Sequence, residues 1–143
     1  MSIIILNLGK EQGDCCHARV RHDDHEFDAL VFGSRTSLQP LLNKSRCTEM
    51  SFERVLSWRE LEDFSNEQSS IHAAPGIDAA IVLKGKVISI IPVDSDTQII
   101  DIYLRAGPEF LALSSDEIDG KFAAIGKGVE VIVSGLCFYP SNL

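Results

Sequence analysis

Closely spaced runs of β-branched and apolar residues fill the second half of the chain. They cover residues 79–91, 99–104, 110–113 and 129–133. β-branched side chains favour strands, because their restricted χ1 angles suit a pleated surface. Turn-forming residues at 92–97 and 106–108 separate the first three runs, which predicts three meandering antiparallel strands. Gly85 interrupts the first run and predicts a bulge or a bend there.

The turn at residues 92–97 also predicts how the first two strands pair. If the turn centres on Ser95, the predicted pairs are Ile90–Ile100, Ile88–Ile102 and Lys86–Leu104. One face of this pair is then apolar, because side chains alternate between the faces of a strand. The other face and the next strand carry the candidate ligand-binding residues, which are Asp101, Tyr103, Arg105 and Phe110.

The clearest helix signal follows the third strand. Ser114 and Glu117 have the spacing of a capping box, and Gly126 is placed to end the helix. The apolar stripe between them consists of Ile118, Phe122 and Ile125. Three meandering strands, a helix and a final strand at 129–133 are the element order of small, partly open barrels of the OB type. An OB fold also has a fifth strand, which this segment does not supply after the helix.

The first half carries a hairpin whose register follows from charge. A turn centred on Asp23 and Asp24 places two opposite-charge pairs on one face, Arg21–Glu26 and Arg19–Asp28. The other face then pairs Val20 with Phe27, Ala18 with Ala29 and Cys16 with Val31. A shift of one residue would destroy both sets of pairs. A short strand at 3–6, ended by Gly9 and Gly13, precedes the hairpin.

Residues 48–64 fit two periods. Met50, Phe52, Leu56 and Trp58 alternate as in a strand, whereas Phe52, Val55 and Leu56 fit a helix. We favour a strand through Trp58, followed by an acidic helical turn over residues 60–64. Residues 66–76 are polar and form a candidate linker, but each flank is too thin for its own core. We therefore expect a single β-rich domain over residues 1–143, with no internal repeat.

Taken together, these patterns predict a mainly β (α+β) protein. We expect an antiparallel, partly open barrel-like or OB-like sheet with one or two short helices. Residues 1–10 lack the features of a signal peptide, and no segment has the length of a membrane helix. We therefore expect a cytoplasmic protein with free thiols and no membrane partner.

The net charge of the 143 residues is −8, from 21 acidic and 13 basic residues. Binding to nucleic acid is driven by clustered Lys and Arg, so this balance disfavours it. It favours a basic protein partner, since opposite potentials speed encounter. The candidate contact edge combines acidic and aromatic residues, namely Trp58, Glu60, Glu62, Asp63 and Phe64.

Candidate metal ligands concentrate around the hairpin turn. Two Cys and three His fall within eleven residues, and His22 and His25 would share one face beside the turn. Cys15 and His17 would lie on the opposite face from His22, so the cluster cannot close as a four-ligand site. We predict no metal and no cofactor, with His22 and His25 as the only candidate ligands.

Motifs of catalysis are missing from the sequence. Residues 120–127 have the wrong spacing for a phosphate loop, and no nucleophile elbow or His-Glu-x-x-His pair occurs. We predict no catalytic residue and a non-enzymatic function. The first hypothesis is an acidic protein-binding module, such as an inhibitor or immunity-type protein that neutralises a basic toxin. The alternative is an OB-like protein that binds a nucleic acid or a small ligand. The sequence leaves the partner and the oligomeric state open.

Overall fold

The structure is a computed structural model that describes residues 2–64, 70–76, 80–104, 109–118 and 124–141. In chain order its strands are β1 Ser2–Gln12, β2 Cys15–His22, β3 His25–Phe32, β4 Ser45–Ser51, β5 Arg54–Leu61, β6 Ser70–Ala73, β7 Ala80–Pro92, β8 Gln98–Leu104, β9 Glu109–Ser114, β10 Gly128–Ser134 and β11 Cys137–Pro140. Helix α1 spans Arg35–Leu38, and two 3-10 helices span Gln39–Leu41 and Ser115–Ile118.

The strands form a closed barrel and a curled sheet. The barrel order is β1-β2-β3-β11-β4, and β1 pairs with β4 to close it. The second sheet has the order β5-β10-β7-β8-β9, with β6 paired to β7. The pairs are antiparallel except β3–β11, which is parallel. This architecture confirms the predicted mainly β, barrel-like and OB-like fold.

The predicted hairpin register is confirmed in every pair. Arg21 faces Glu26 and Arg19 faces Asp28, while Val20 faces Phe27 in the barrel interior. The turn needs a left-handed residue, and Asp23 supplies it with φ of 51°. The preceding strand is longer than predicted, because β1 continues through Gly9 with irregular pairing to β2 and ends before Gly13.

The same series of elements occurs twice along the chain. β1, β2 and β3, then α1, then β4 form the first series, in which β4 pairs with β1. β7, β8 and β9, then a 3-10 helix, then β10 form the second series, in which β10 pairs with β7. The topology therefore repeats, although the sequence itself shows no internal repeat.

Each series receives its fifth strand from the other. β5 follows the first series but pairs with β10, and β11 follows the second series but pairs with β4. The fifth strand that the second half does not supply thus comes from the first half. The chain therefore passes between the two sheets at two short links, once between β4 and β5 and once between β10 and β11.

The two sheets share a hydrophobic core. Fully buried side chains from the barrel and from the second sheet belong to one cluster, which includes Ile5, Phe27, Phe138, Leu83, Ile100 and Val131. Phe27 and Phe138 lie with ring centroids 6.2 Å apart, so β3 and the exchanged strand β11 meet inside the barrel. The single-domain organisation stays a prediction, which separated halves of the chain can test.

Three local predictions are wrong. No helical turn covers residues 60–64, because β5 continues to Leu61 as the partner of β10 and Asp63 then turns with φ of 52°. The candidate linker 66–76 contains β6, which pairs with β7. The predicted short helix between Ser114 and Gly126 is, in its described part, the 3-10 helix Ser115–Ile118, and Ile125 is 62% exposed rather than on a buried stripe. Phe122 lies outside the described residues.

The capping box itself forms at the predicted place. The Ser114 backbone N–H donates to Glu117 Oε1 at 3.0 Å, and Asp116 N–H lies 3.4 Å from Ser114 Oγ. Gly126 has φ of 93°, in keeping with the chain reversal that its position predicts.

The predicted β7–β8 register is right only near the turn. Ile90 faces Ile100, but a bulge between Val87 and Ser89 shifts the remaining pairs, so Val87 faces Ile102 and Lys86 faces Tyr103. The bulge buries Val87 completely and leaves Ile88 38% exposed. Two adjacent apolar residues cannot both face the core of a regular strand, and the bulge selects Val87.

Candidate functional site

Four polar side chains line up across the second sheet, and we call this set the polar row. Ser70 on β6 faces Lys84 on β7, Lys84 faces Glu130 on β10, and Glu130 faces Arg59 on β5. Residues paired in register project from the same face of a sheet. The polar row therefore brings two cations and one carboxylate together on the face opposite the buried Val131.

Glu130 is the centre of the polar row. Arg59 Nε and Nη2 donate to Glu130 Oε1 and Oε2 at 2.9 and 3.0 Å, and Lys84 Nζ lies 3.7 Å from Oε2. The Glu130 side chain is only 14% exposed, whereas Arg59 is 61% exposed. The hydrogen bond from Arg59 lowers the pKa of Glu130 against the opposing effect of burial, and it raises the pKa of Arg59.

Two histidines border the polar row. His72 lies two residues beyond Ser70 on β6, with Nδ1 3.4 Å from Ser70 Oγ. Its ring centroid is 5.6 Å from that of His25, at the start of β3 in the barrel. Burial lowers the pKa of His72, and the neighbouring Lys84 and His25 add to this effect. His72 is thus neutral at pH 7. The contact between His25 and His72 also places this end of the polar row where the barrel meets the second sheet.

The charges of this arrangement sum to one positive charge, from Arg59 and Lys84 against Glu130, with His72 neutral. A guanidinium has five N–H donors and an ammonium has three. Within the described part of the chain, Glu130 engages two guanidinium donors and lies near the ammonium. The remaining donors suit the oxygens of a small anion.

The predicted protein-contact edge is split between the core and solvent. Trp58 is half-buried, packs against the core and faces Val131 on β10. The half-buried Phe64 covers Gly128 so closely that a Cβ there would overlap its ring. Glu60, Glu62 and Asp63 are exposed. The acidic half of this prediction is therefore available to a partner, and the aromatic half mainly serves packing.

The predicted ligand face lies largely outside the described residues. This holds for Arg105 and for the side chains of Asp101, Tyr103 and Phe110. The backbone places Tyr103 opposite Phe110 across β8 and β9. The ligand face stays a prediction.

The structure gives His22 and His25 different surroundings, although they pair across the hairpin. His22 is buried, with Nδ1 3.1 Å from the Ser2 carbonyl oxygen and Nε2 3.6 Å from Asp23 Oδ2. His25 is exposed and contacts His72 instead. Among the described residues, no group of three or more His, Cys, Asp or Glu is placed to hold a metal ion.

Sequence reasoning missed the polar row, since its members are spread over 72 positions from Arg59 to Glu130. Two signals were present. Lys84 interrupts an apolar run, and Glu130 is the one charged residue in the strand sequence 129–133. A charged residue within an apolar strand indicates a partner on a neighbouring strand, but not which strand supplies it.

The fold and the polar row define an OB-like β protein with a charged row across its second sheet. The chain matches no protein-family model and no curated protein. It resembles a solved structure of the cytoplasmic molybdate-binding protein ModG with molybdate bound. The TM-score is 0.55 and the identity 15%, over 96% of this chain and 92% of that chain. This likeness shows the fold. In the described residues, no helix has the length and apolar character to cross a membrane.

Proposed function

We propose that this protein binds a small oxyanion without catalysis, and that the polar row contributes to the binding site. The observation that carries the proposal is the pair of cations, Arg59 and Lys84, held beside each other by the mostly buried Glu130. The structural neighbour binds molybdate, a small oxyanion, which supports the same ligand class for this chain. That neighbour is cytoplasmic, and we propose the same location here.

The role of Glu130 in this proposal is to position the two cations. Its bidentate contact fixes the guanidinium plane, so less conformational freedom is lost when Arg59 also contacts a ligand. Its own negative charge opposes an anion, which limits the affinity. The net charge of −8 also repels anions at long range, so binding depends on short-range donors.

The test is calorimetric titration of the full chain with molybdate, and with sulfate and phosphate for comparison. We expect Arg59→Gln and Lys84→Gln each to weaken binding about tenfold, the loss typical of a charge-assisted hydrogen bond. Arg19→Gln is the matched control, because Arg19 is also exposed and paired with a carboxylate, Asp28, but lies on the hairpin. We expect the Arg19→Gln variant to bind the anions with the same affinity as the wild type.

Glu130→Gln gives a result of opposite sign. Removing the negative charge between two cations should strengthen oxyanion binding several-fold. Affinities that are the same in the wild type and in the variants at Arg59, Lys84 and Glu130 would exclude the polar row as the site. No heat with any of the three anions at millimolar concentration would reject the proposed function.

The comparisons favour the small-ligand alternative and give no support to an inhibitor or immunity-type function. A basic protein partner at Glu60, Glu62 and Asp63 stays a prediction. The test is to measure the association rate at several ionic strengths. The rate should fall as salt rises in the wild type, and it should depend less on salt in the triple variant Glu60→Gln/Glu62→Gln/Asp63→Asn.

A further inference from the structure

Two cysteines that are 122 residues apart in sequence meet on the outside of the barrel. Cys15 Sγ on β2 lies 3.7 Å from Cys137 Sγ on β11. Cys15 follows the face opposite the fully buried Cys16, and Cys137 follows the face opposite the fully buried Phe138. Both thiols therefore lie on the outer face of the barrel wall, where Cys15 is half-buried and Cys137 is buried, next to the stacked rings of Phe32 and Tyr139.

The other two cysteines are placed differently. Cys16 Sγ points to the Gly33 carbonyl oxygen at 3.4 Å, and burial raises the pKa of its thiol. Cys47 is exposed, with Sγ 3.8 Å from Ser2 Oγ. All four cysteines lie in the described part of the chain, and all are free thiols. The pair Cys15 and Cys137 makes the one thiol–thiol contact among them.

We propose that Cys15 and Cys137 form an oxidisable dithiol, which closes to an intramolecular disulfide in the presence of a peroxide. The half-buried Cys15 is the sulfur that solvent reaches first. Its thiolate attacks one peroxide oxygen, the O–O bond breaks, and a sulfenic acid and hydroxide form. Cys137 then attacks the sulfenic sulfur, the S–O bond breaks and water leaves. The net reaction is two thiols and one hydrogen peroxide to one disulfide and two waters.

The two sulfur atoms must approach each other past β3, the strand that lies between β2 and β11 in the barrel. A disulfide has a length of about 2.05 Å, so the sulfurs must approach by roughly 1.6 Å. Burial and the nearby Cys15 raise the pKa of Cys137 to about 12, so the second step should be slow at neutral pH and faster in alkali. The bond would fasten β11, the strand that the second series contributes to the barrel, to β2 of the first series.

The experiment uses the full chain with Cys47→Ser, which removes the exposed thiol that could join two molecules. After hydrogen peroxide and alkylation of free thiols, trypsin should release residues 11–19 linked to residues 128–143. We expect the oxidised protein to be monomeric, with a Tm raised by about 5 °C or more and restored by dithiothreitol.

Adding Cys15→Ser should abolish both the link and the Tm shift. Adding Cys16→Ser, next in sequence but on the opposite face, should preserve both. A link that persists without Cys15, or oxidation that stops at sulfinic acid on Cys15 with no linked peptide, would overturn the proposal. Neither result depends on oxyanion binding, so this inference stands or falls separately from the proposed function.

Discussion

Gly135 lies directly against Glu53, and a Cβ atom on Gly135 would be 2.6 Å from the Cβ of Glu53. The Glu53 backbone N–H donates to the Ser134 carbonyl oxygen at 2.8 Å, and Gly135 has φ of +67°. These residues belong to the two links that carry the exchanged strands, β4 to β5 and β10 to β11. The two crossings therefore touch, and the contact leaves no room for a side chain at 135.

We predict that Gly135→Ala is more destabilising than a left-handed glycine alone would explain. The φ angle accounts for about 1–2 kcal/mol, and the overlap with Glu53 adds about 1–3 kcal/mol. The matched control is Gly13→Ala, because Gly13 has φ of +60° with nothing within 4 Å of its added Cβ. Urea unfolding gives both free energies of unfolding. Equal losses for the two variants would show that the crossing tolerates a methyl group.

The exchange of fifth strands predicts that neither half folds alone. Residues 1–64 lack β11, and residues 70–143 lack β5, so each half loses strand partners of its own sheet. We expect each purified half to show a weakened far-UV circular dichroism signal and no cooperative thermal transition. An equimolar mixture of the two halves should regain a cooperative transition. A cooperative thermal transition in either half by itself would contradict the single-domain prediction.

Glu130 should make stability depend on acidic pH. Its pKa is lowered from the ordinary value of 4.5, so its stabilisation is complete above pH 4.5 and is lost as pH falls through the lowered pKa. Glu130→Gln should remove this part of the pH dependence. At pH 7 it should cost only about 1 kcal/mol, since Arg59 is largely exposed. Unfolding measured from pH 7 to pH 3 checks both statements, with Glu26→Gln on the hairpin as the exposed control.

His72 should contribute a second, separate pH dependence. Its pKa is lowered from the ordinary value of 6.5, so the unfolded chain binds a proton more readily than the folded protein. The stabilisation that depends on neutral His72 is therefore fully present above pH 6.5, and it is lost as pH falls toward the lowered pKa. His72→Asn should flatten the curve in this window. His17→Asn, which changes an exposed histidine bonded to Gln12, should leave the slope in place.

The hairpin ion pair should contribute little energy but confirm the register. Arg19 Nη1 lies 3.4 Å from Asp28 Oδ1, and both side chains are substantially exposed. We expect Arg19→Glu to cost about 0.5–1 kcal/mol and the double variant Arg19→Glu/Asp28→Arg to recover most of it. The same cycle at Arg21 and Glu26 tests the neighbouring pair. Strict additivity of the single effects at both pairs would argue against the register.

The sequence by itself determined the features that arise within a few residues. The hairpin over β2 and β3 follows from alternating side chains and a short turn, and both are local properties of the chain. The capping box of Ser114 and Glu117 is equally local, and the bond from the Ser114 N–H to Glu117 forms at the predicted place. Strand content in the second half follows from β-branched side chains that restrict their own backbone.

Only the tertiary structure decided the pairing of distant strands and, with it, the candidate site. Glu60 is in a strand because β10 provides it with a backbone pairing partner. The local periodicity of the sequence does not reveal that a distant strand favours the extended conformation over a helical turn at this position. The bulge at Val87 depends on which of two apolar neighbours the assembled core accepts. Arg59 meets Glu130 because β5 crosses to the second series. A strand's hydrogen bonds are satisfied by whichever edge reaches it, so the free energy that places these residues together belongs to the assembled sheets.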